Sequence, residues 1–288
     1  MSTSPAPVEL VPFRIRRTKA IGPRDDVLVY IAYCPDGKLS ALQRLCIASY
    51  HAEGYRIVLV VNSGADDHDL DPGPSPAVIE IIRENIGFDF GGWGHAARLI
   101  ADLGVARTVS FANDSVVGPL PGDGNSGLRA TVDEVDGEAV FMTESVQIRP
   151  HGQSYFFAFK KGAIDKGALQ FMAASRYFGS TRRVVINEEL TLADRLREHG
   201  ISVGVAFPCE EAIRHAINPV FFFWDYLVST GFPFVKASLV PDGRIAIDAP
   251  ELAAVIGPQF HAALRSHLSQ RPAHAPVQFD AVQPGGDR

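Results

Sequence analysis

The chain has 288 residues, of which 46% are apolar, and its net charge is −6 at pH 7. This length and apolar content are sufficient for one large core, and we expect a single domain over residues 25–268. A net negative charge without a long Lys/Arg run argues against a nucleic-acid partner.

Cysteine usage and hydropathy bear on where the protein acts. Cys34, Cys46 and Cys209 are widely spaced and lack a metal-binding pattern, so they are predicted to be small core residues in a reducing compartment. Residues 1–10 lack the basic start and apolar run of a signal peptide, and residues 217–235 are interrupted by Pro, Asp and Gly. We therefore expect a cytoplasmic protein without a transmembrane segment, with membrane contact limited to peripheral association at the inner face.

The predicted elements alternate between strands and helices. Residues 1–24 form a poorly patterned, poorly ordered arm, and residues 269–288 are rich in Pro, Gly and Ala, which favours a disordered tail. Between them, apolar runs and helical spacing predict strands at residues 27–33, 56–61, 78–82, 108–111, 139–142, 155–159 and 203–207, and helices at 39–49, 93–103, 188–199 and 221–229. This alternation predicts an α/β fold with a mostly parallel central sheet, helices on both faces, and ligands beyond the carboxyl ends of the strands.

The densest cluster of glycine and polar residues follows the third predicted strand. It contains Arg83, Asn85, Gly87, Asp89, Gly91, Gly92 and Trp93. Glycines allow close approach of a ligand to the backbone, an arginine can pair with a phosphate, and a helix N-terminus favours an anion. The alternative is an ordinary strand-to-helix turn with Asp89 as the N-cap.

Two further acidic segments are candidate sites. Asn113-Asp114-Ser115 follows the fourth strand, where the Asp114 carboxylate could hold Mg²⁺ or Mn²⁺ between two phosphates, or where the segment could be an Asx turn. Glu188 and Glu189 open a predicted helix, either as a general base for a hydroxyl acceptor or as first-turn acids that interact with the helix dipole.

Four segments in order resemble the rhamnan-synthesis family of glycosyltransferases. They are NIGFDFGGW (85–93), NDSVVGPL (113–120), QSYFFAF (153–159) and NPVFFFWDYLVSTGFPFVK (218–236). The resemblance covers roughly residues 27–240 and implies a GT-A-like fold, a nucleotide diphosphate-sugar donor such as dTDP-rhamnose, and a divalent metal. It also implies an acceptor that is a cell-surface polysaccharide or a lipid-linked saccharide.

The same resemblance assigns roles to individual residues. Residues of the first two motifs would form the donor pocket together with Tyr33, and Asp114 would be the metal ligand. The usual Asp-x-Asp is Asn113-Asp114-Ser115 here, which leaves one carboxylate. Glu189 would be the base, with Glu188 as the second candidate and Asp89 as the next.

Acceptor residues and rival functions remain open at this stage. Gln153, Ser154 and Tyr155 either contact an acceptor saccharide or are polar residues that open a strand, and Trp224 is either a sugar platform or part of a helix core. One alternative function is a non-catalytic saccharide-binding or scaffold protein, and the other is a sugar nucleotidyltransferase. A shared cleft of Asp89, Asp114 and Glu189 would favour the glycosyltransferase over the scaffold protein.

Overall fold

The computed structural model describes residues 13–63, 75–103, 106–121 and 127–270. The predictions for residues 1–12 and 271–288 lie outside the described residues. The strands are β1 (Phe13–Thr18), β2 (Asp26–Tyr33), β3 (Arg56–Ser63), β4 (Ile79–Glu84), β5 (Thr108–Asn113), β6 (Val116–Val117), β7 (Ala139–Phe141), β8 (Glu144–Ser145), β9 (His151–Gly152), β10 (Phe156–Lys160), β11 (Val203–Val205) and β12 (Val235–Lys236).

The helices are distributed along the whole described chain. They are α1 (Ala41–Ala52), α2 (Phe88–Leu103), α3 (Leu128–Glu134), α4 (Lys161–Asp165), α5 (Ala168–Ala173), α6 (Thr181–Val184), α7 (Leu190–Glu198), α8 (Glu210–Arg214), α9 (Pro219–Phe222), α10 (Trp224–Ser229) and α11 (Pro250–Gln270), the last kinked at Gly257. A π-helical turn, Val185–Glu189, joins α6 to α7. No helix in the described ranges combines the length and apolar character needed to cross a bilayer.

Eight strands form the central sheet in the order β1-β4-β3-β2-β5-β10-β7-β11. The four strands β4, β3, β2 and β5 are parallel, β10 runs antiparallel to both β5 and β7, and β11 is parallel to β7. The carboxyl ends of the parallel strands therefore lie at one edge, as the sequence predicts for a mostly parallel sheet.

Both faces of the sheet are covered by helices, which confirms the predicted α/β architecture. On β2, Leu28 and Tyr30 pack into one hydrophobic core together with residues of α1 and α11. The alternating Val27 and Val29 pack into a second core with residues of α2, α5 and α7. Burial on both faces favours apolar side chains at successive positions, which explains the continuous run from Val27 to Ala32 in β2.

The N-terminal boundary of the fold differs from the prediction. Residues 13–18, assigned to a poorly ordered arm, form β1, which pairs antiparallel with β4 at the sheet edge. Phe13 and Ile15 of this strand are exposed. Because an edge strand can remain solvated and charged, its sequence carries little of the apolar pattern that marks a central strand.

Helix boundaries also differ where glycine and aromatic residues dominate. Helix α2 begins at Phe88 rather than at residue 93, since tertiary packing overrides the low helix propensity of Gly91 and Gly92. The predicted helix at 221–229 is two short helices, α9 and α10, that meet at Phe223. The three cysteines are buried free thiols, as predicted.

Candidate functional site

A polar cavity of about 230 Å³ lies at the carboxyl edge of the parallel strands. It is bounded by the start of α2, the β5–β6 turn, the entry to β10, α6 with the π-helical turn, and the end of β12. Its lining residues are Phe88, Asp89, Phe90, Asn113, Ser115, Gln153, Ser154, Tyr155, Thr181, Val184, Val185, Glu189 and Lys236. Seven predicted site residues are among them, and they come from four separate segments.

Asp89 is a perturbed carboxylate in this cavity. It is half-buried in the first turn of α2, and Nδ2 of Asn113 donates a hydrogen bond to its Oδ2 at 2.8 Å. Burial, together with the nearby Asp114 and Glu189 carboxylates, raises the pKa of Asp89 to about 6, against the opposing effects of the hydrogen bond from Asn113 and the charge of Lys236. A carboxylate with this pKa is suited to proton transfer near neutral pH.

Glu189 reaches the cavity from the opposite side. It is the last residue of the π-helical turn, and its Oε1 accepts a hydrogen bond from the backbone N–H of Ser154 at 3.3 Å. A single π-helical turn shifts the direction of the following side chains, and such turns occur often at functional sites. Asp89 and Glu189, which are 100 residues apart in sequence, therefore line the same space.

Lys236 is a cation among these carboxylates. It ends β12, whose pairing with β6 places its Nζ 2.8 Å from Oγ of Ser115 and 5.5 Å from the ring centre of Tyr155. Burial lowers the pKa of Lys236, and Glu189, Asp89 and Asp114 oppose that shift. The residue stands in the fourth resembling segment, but a lone lysine after a short strand is a weak sequence signal.

The predicted acceptor residues form one hydrogen-bonded wall of the cavity. Oγ1 of Thr143 donates to Oε1 of Gln153 at 2.8 Å and bonds the Tyr155 hydroxyl, while Nε2 of Gln153 donates to Oδ1 of Asn218 at 3.2 Å. Ser154 lies between them and bonds Glu189 through its backbone. These hydrogen bonds connect the wall to Thr143, Asn218 and Glu189.

Asp114, the predicted metal ligand, is not among the residues that line the cavity. Its Oδ2 accepts hydrogen bonds from the Tyr33 backbone N–H at 3.1 Å and from Nε2 of Gln43 at 2.7 Å. Both donors bind the same oxygen, so a Mg²⁺ or Mn²⁺ ion would have to bind through Oδ1 or replace one of them, and the metal role of Asp114 stays a prediction. The described ranges also contain no cluster of three or more acidic, His or Cys side chains able to hold a metal.

Arg83 supports the loop before α2 instead of lining the cavity. Its guanidinium is buried and donates to Oδ1 of Asn62 at 2.9 Å and to the carbonyls of Ile86 and Phe88. Burial lowers the pKa of Arg83 to about 10. The arginine therefore holds the turn that positions Asp89, in place of the predicted phosphate contact.

The glycines and the tryptophan of the first motif serve packing. A Cβ on Gly91 would lie 2.6 Å from the Ile86 carbonyl oxygen, one on Gly92 would lie 2.8 Å from Ile31 Cδ1, and Gly87 has φ +73° against the Tyr177 ring. Trp93 is fully buried, and its Nε1 donates to the Ala112 carbonyl at 3.4 Å. These residues bring α2 close to the sheet and do not line the predicted donor pocket.

The remaining predicted residues also lie outside the cavity. Glu188 is buried in an ion pair with Arg195 at 2.8 Å and accepts a hydrogen bond from the Arg176 backbone, so its part is structural. Trp224 packs against the core, as the alternative interpretation holds. Asn85 donates its backbone N–H to the Ser63 carbonyl, and Tyr33 meets Asp114 through its backbone.

Several cavity residues lack a distinctive sequence signal. Phe88, Phe90, Thr181, Val184 and Val185 are of types that sequence reasoning assigns to cores or helix starts. Phe88 does have a positive φ of 52°, which is uncommon for a bulky residue and marks the turn into α2. The two phenylalanines and two valines add apolar surface to the cavity lining.

The mostly parallel sheet with helices on both faces defines a protein of the α/β class, and in this class ligands commonly bind at the carboxyl edge, where the cavity lies. Comparison with known families then makes the assignment specific. The chain matches the profile of the family described as Rhamnan synthesis protein F over residues 57–264, more than half of its length, and it belongs to that family.

Curated relatives are more distant. The chain is 25% identical over 193 residues to "Uncharacterized protein y4gN" of Sinorhizobium fredii, covering 66% of this chain and 50% of that protein. It is 26% identical over 195 residues to "Virulence protein VirA" of Vibrio anguillarum, covering 56% of this chain and 62% of that protein. The chain thus spans about half to three fifths of the length of these relatives.

A solved structure is also similar in part. It is the crystal structure of a protein from Desulfovibrio desulfuricans G20, provisionally assigned as a nucleotide-diphospho-sugar transferase. The sequence identity is 11%, the TM-score is 0.35, and the match covers 64% of this chain and 80% of that one. At that TM-score the likeness carries no argument about this chain.

Proposed function

We propose that the chain is a glycosyltransferase that moves a sugar from a nucleotide diphosphate-sugar to a saccharide acceptor. The family's description, rhamnan synthesis, supports rhamnose as the transferred sugar. We propose dTDP-rhamnose as the donor, and a cell-surface polysaccharide or lipid-linked saccharide at the inner membrane face as the acceptor. The observation that carries the proposal is the shared cavity of Asp89 and Glu189, with an amide, hydroxyls and an ammonium around them.

The chemistry needs one base and a leaving diphosphate. The acceptor oxygen forms a bond to the anomeric carbon, the bond from that carbon to the diphosphate oxygen breaks, and the acceptor proton passes to a carboxylate. We assign this base to Glu189, because it lies beside the Gln153–Tyr155 wall at which an acceptor hydroxyl can be held. Asp89, with its raised pKa, is the second candidate.

Substitution of the base should separate catalysis from binding. Glu189→Gln keeps the shape of the side chain but loses its basicity, so we expect transfer to fall by about 10²–10⁴-fold with donor affinity nearly unchanged. Transfer is measured by mass spectrometry of the acceptor product, per molecule of folded protein. Near-normal transfer by Glu189→Gln, together with a large loss in Asp89→Asn, would move the base to Asp89.

Two matched variants control for structural effects. Glu188→Gln alters the adjacent buried ion pair, and Glu198→Gln alters an exposed acid on the same helix, so both should keep their rate per folded molecule. A loss of rate in Glu198→Gln equal to that in Glu189→Gln would show that the effect is not specific to the cavity.

The cavity volume supports a second candidate, a saccharide-binding protein without turnover. About 230 Å³ is below the ~300–1,000 Å³ of most small-molecule sites and is closer to the size of one sugar unit. Such a protein would bind the acceptor saccharide yet release no nucleoside diphosphate from any donor. Saccharide binding by calorimetry without turnover of dTDP-, UDP- or GDP-sugars would favour this candidate over the transferase.

A further inference from the structure

The β5–β6 turn contributes only neutral side chains to the lining of the cavity. Of its three polar residues, Asn113 and Ser115 line the cavity, and both side chains are neutral. The carboxylate of Asp114 is turned toward the Tyr33 N–H and Gln43 of α1. A nucleoside diphosphate seated against Asn113 and Ser115 would therefore meet two neutral side chains, and its negative charge would need another partner.

Lys236 is placed to be that partner. Its position is fixed by the antiparallel register Lys236↔Val116 between β12 and β6, so the ammonium lies directly against the β5–β6 turn. Its hydrogen-bond partner in the described part of the chain is the neutral Ser115 hydroxyl at 2.8 Å. An ammonium has three N–H donors, so this hydroxyl leaves donor capacity for a ligand in the cavity.

A partly enclosed cation whose hydrogen-bond partner is neutral lowers the stability of the folded state. Desolvation of an ammonium is compensated only when an anion or several good acceptors face it. The carboxylates of Glu189, Asp89 and Asp114 supply part of this compensation through their charges. An anionic ligand that contacts the ammonium directly would complete the arrangement.

We infer that Lys236, and not a divalent metal, neutralises the diphosphate of the donor in this cavity. The inference rests on the proposed transfer reaction and names the charged group that would act in it. As the bond from the anomeric carbon to the diphosphate oxygen breaks, the electron pair stays with the diphosphate, whose charge increases. Lys236 stabilises that developing charge, while the acceptor proton passes to the carboxylate base.

The test is calorimetric titration of dTDP, UDP and GDP into the full chain, once in EDTA and once in Mn²⁺. We expect one of these probes to bind in EDTA, with an affinity that Mn²⁺ changes less than about threefold. Lys236→Met should weaken that binding by about 10- to 100-fold, the range for loss of one hydrogen bond to a charged group. Lys236→Arg should retain most of the affinity, and Lys161→Met, an exposed lysine of α4, should retain all of it.

Three results would contradict the inference about Lys236, and they can be told apart. Binding that requires Mn²⁺ would overturn the role of Lys236 and leave the transferase intact, with the cavity carboxylates as the metal ligands. Unchanged affinity in Lys236→Met would also overturn it. Binding of no probe in either condition would remove the proposed function itself, and this inference with it.

Stability controls keep the test decisive. Circular dichroism and thermal unfolding establish that Lys236→Met is folded before its affinity is compared. If that variant does not fold, Lys236→Gln takes its place, since it keeps a polar group beside Ser115. The wild-type comparison between EDTA and Mn²⁺ requires no variant and can overturn the inference by itself.

Discussion

At the scale of single residues, the charged form of Asp89 lowers the stability of the folded chain. Its carboxylate is held where burial and two neighbouring carboxylates disfavour its charge, and the pKa is about 6 against an ordinary 3.8. The folded chain pays this cost at neutral pH in every molecule, with or without ligand. Groups tuned for proton transfer or ligand binding commonly have this property, because function and stability make different demands on the same side chain.

Asp89→Asn should therefore stabilise the fold above pH 6. Between about pH 4 and pH 6 the folded state binds a proton at Asp89 that the unfolded state has lost, so the free energy of unfolding falls as pH rises through this window. The amide lacks this fall, and the gain above pH 6 should be no more than about 3 kcal/mol. Below pH 4 the two proteins should be similar.

Urea unfolding of wild type and Asp89→Asn at pH 3.5, 5 and 7.5 measures this difference. The Asn113 amide can still donate to the oxygen of an asparagine at position 89, so the variant preserves the local hydrogen bond. An advantage that is equal at all three pH values, or a destabilisation at pH 7.5, would contradict the electrostatic origin.

At the scale of elements, the start of α2 is set by close packing. Gly91 lies where a Cβ would meet the Ile86 carbonyl oxygen at 2.6 Å and the Tyr177 ring at 2.6 Å. Backbone cannot move aside as a flexible side chain can, so Gly91→Ala should destabilise the fold by about 1–3 kcal/mol. The same shift would move Asp89, two residues earlier, and should also weaken donor binding.

Gly179→Ala is the matched control for this prediction. Among the residues that the structure describes, its chain neighbours aside, no atom lies within 4 Å of a Cβ at Gly179, so alanine there should be neutral or slightly stabilising through the unfolded state. Thermal unfolding of both variants gives the comparison. Equal stability of Gly91→Ala and wild type would mean that α2 can move away from the sheet without cost.

Elements also show what local pattern can and cannot predict. The central strands β2 and β3 are evident because burial on both faces demands continuous apolar runs, whereas β1 keeps an exposed, charged edge and carries no such run. The cluster of glycine and polar residues around Gly91 is recognisable from the sequence as an unusual composition. Its composition alone does not distinguish a close ligand from the close Tyr177 ring, because both require the absence of a Cβ.

The residues of the candidate site also differ in how far the sequence predicts them. Asp89, Asn113 and Glu189 are predicted because each follows a strand or opens a helix, positions that the sheet brings to one edge. Lys236 is recognisable only from its contact with Ser115, which is 121 residues away in sequence. Asp114 shows the converse, since its carboxylate accepts hydrogen bonds from Tyr33 and Gln43, which are 81 and 71 residues away in sequence.

At the scale of the whole molecule, ligand binding and folding are linked. A ligand that binds the folded chain alone, at 100 times its dissociation constant, should stabilise the fold by about 2.7 kcal/mol. The measurement needs no acceptor and no second protein, which matters because the chain covers only part of the length of its curated relatives. A thermal-shift screen against dTDP, UDP, GDP and CMP can therefore identify the nucleotide.

The Asp114→Asn variant, used in the same screen, tests whether Asp114 stabilises the fold or binds the donor. The Asp114 carboxylate accepts N–H groups from the end of β2 and from Gln43 of α1, so the asparagine should lower the unfolding free energy by about 1–3 kcal/mol through these charge-assisted bonds. Because this carboxylate is not part of the cavity lining, the ligand-induced rise in Tm should be the same as in wild type, both in EDTA and in Mn²⁺. A rise that vanishes in the variant, or one that needs Mn²⁺ in wild type and is lost with Asp114, would show that Asp114 turns toward the donor and binds metal. An equal rise from a lower starting Tm would show that Asp114 joins β2, α1 and the β5–β6 turn, and that the donor is bound by other residues.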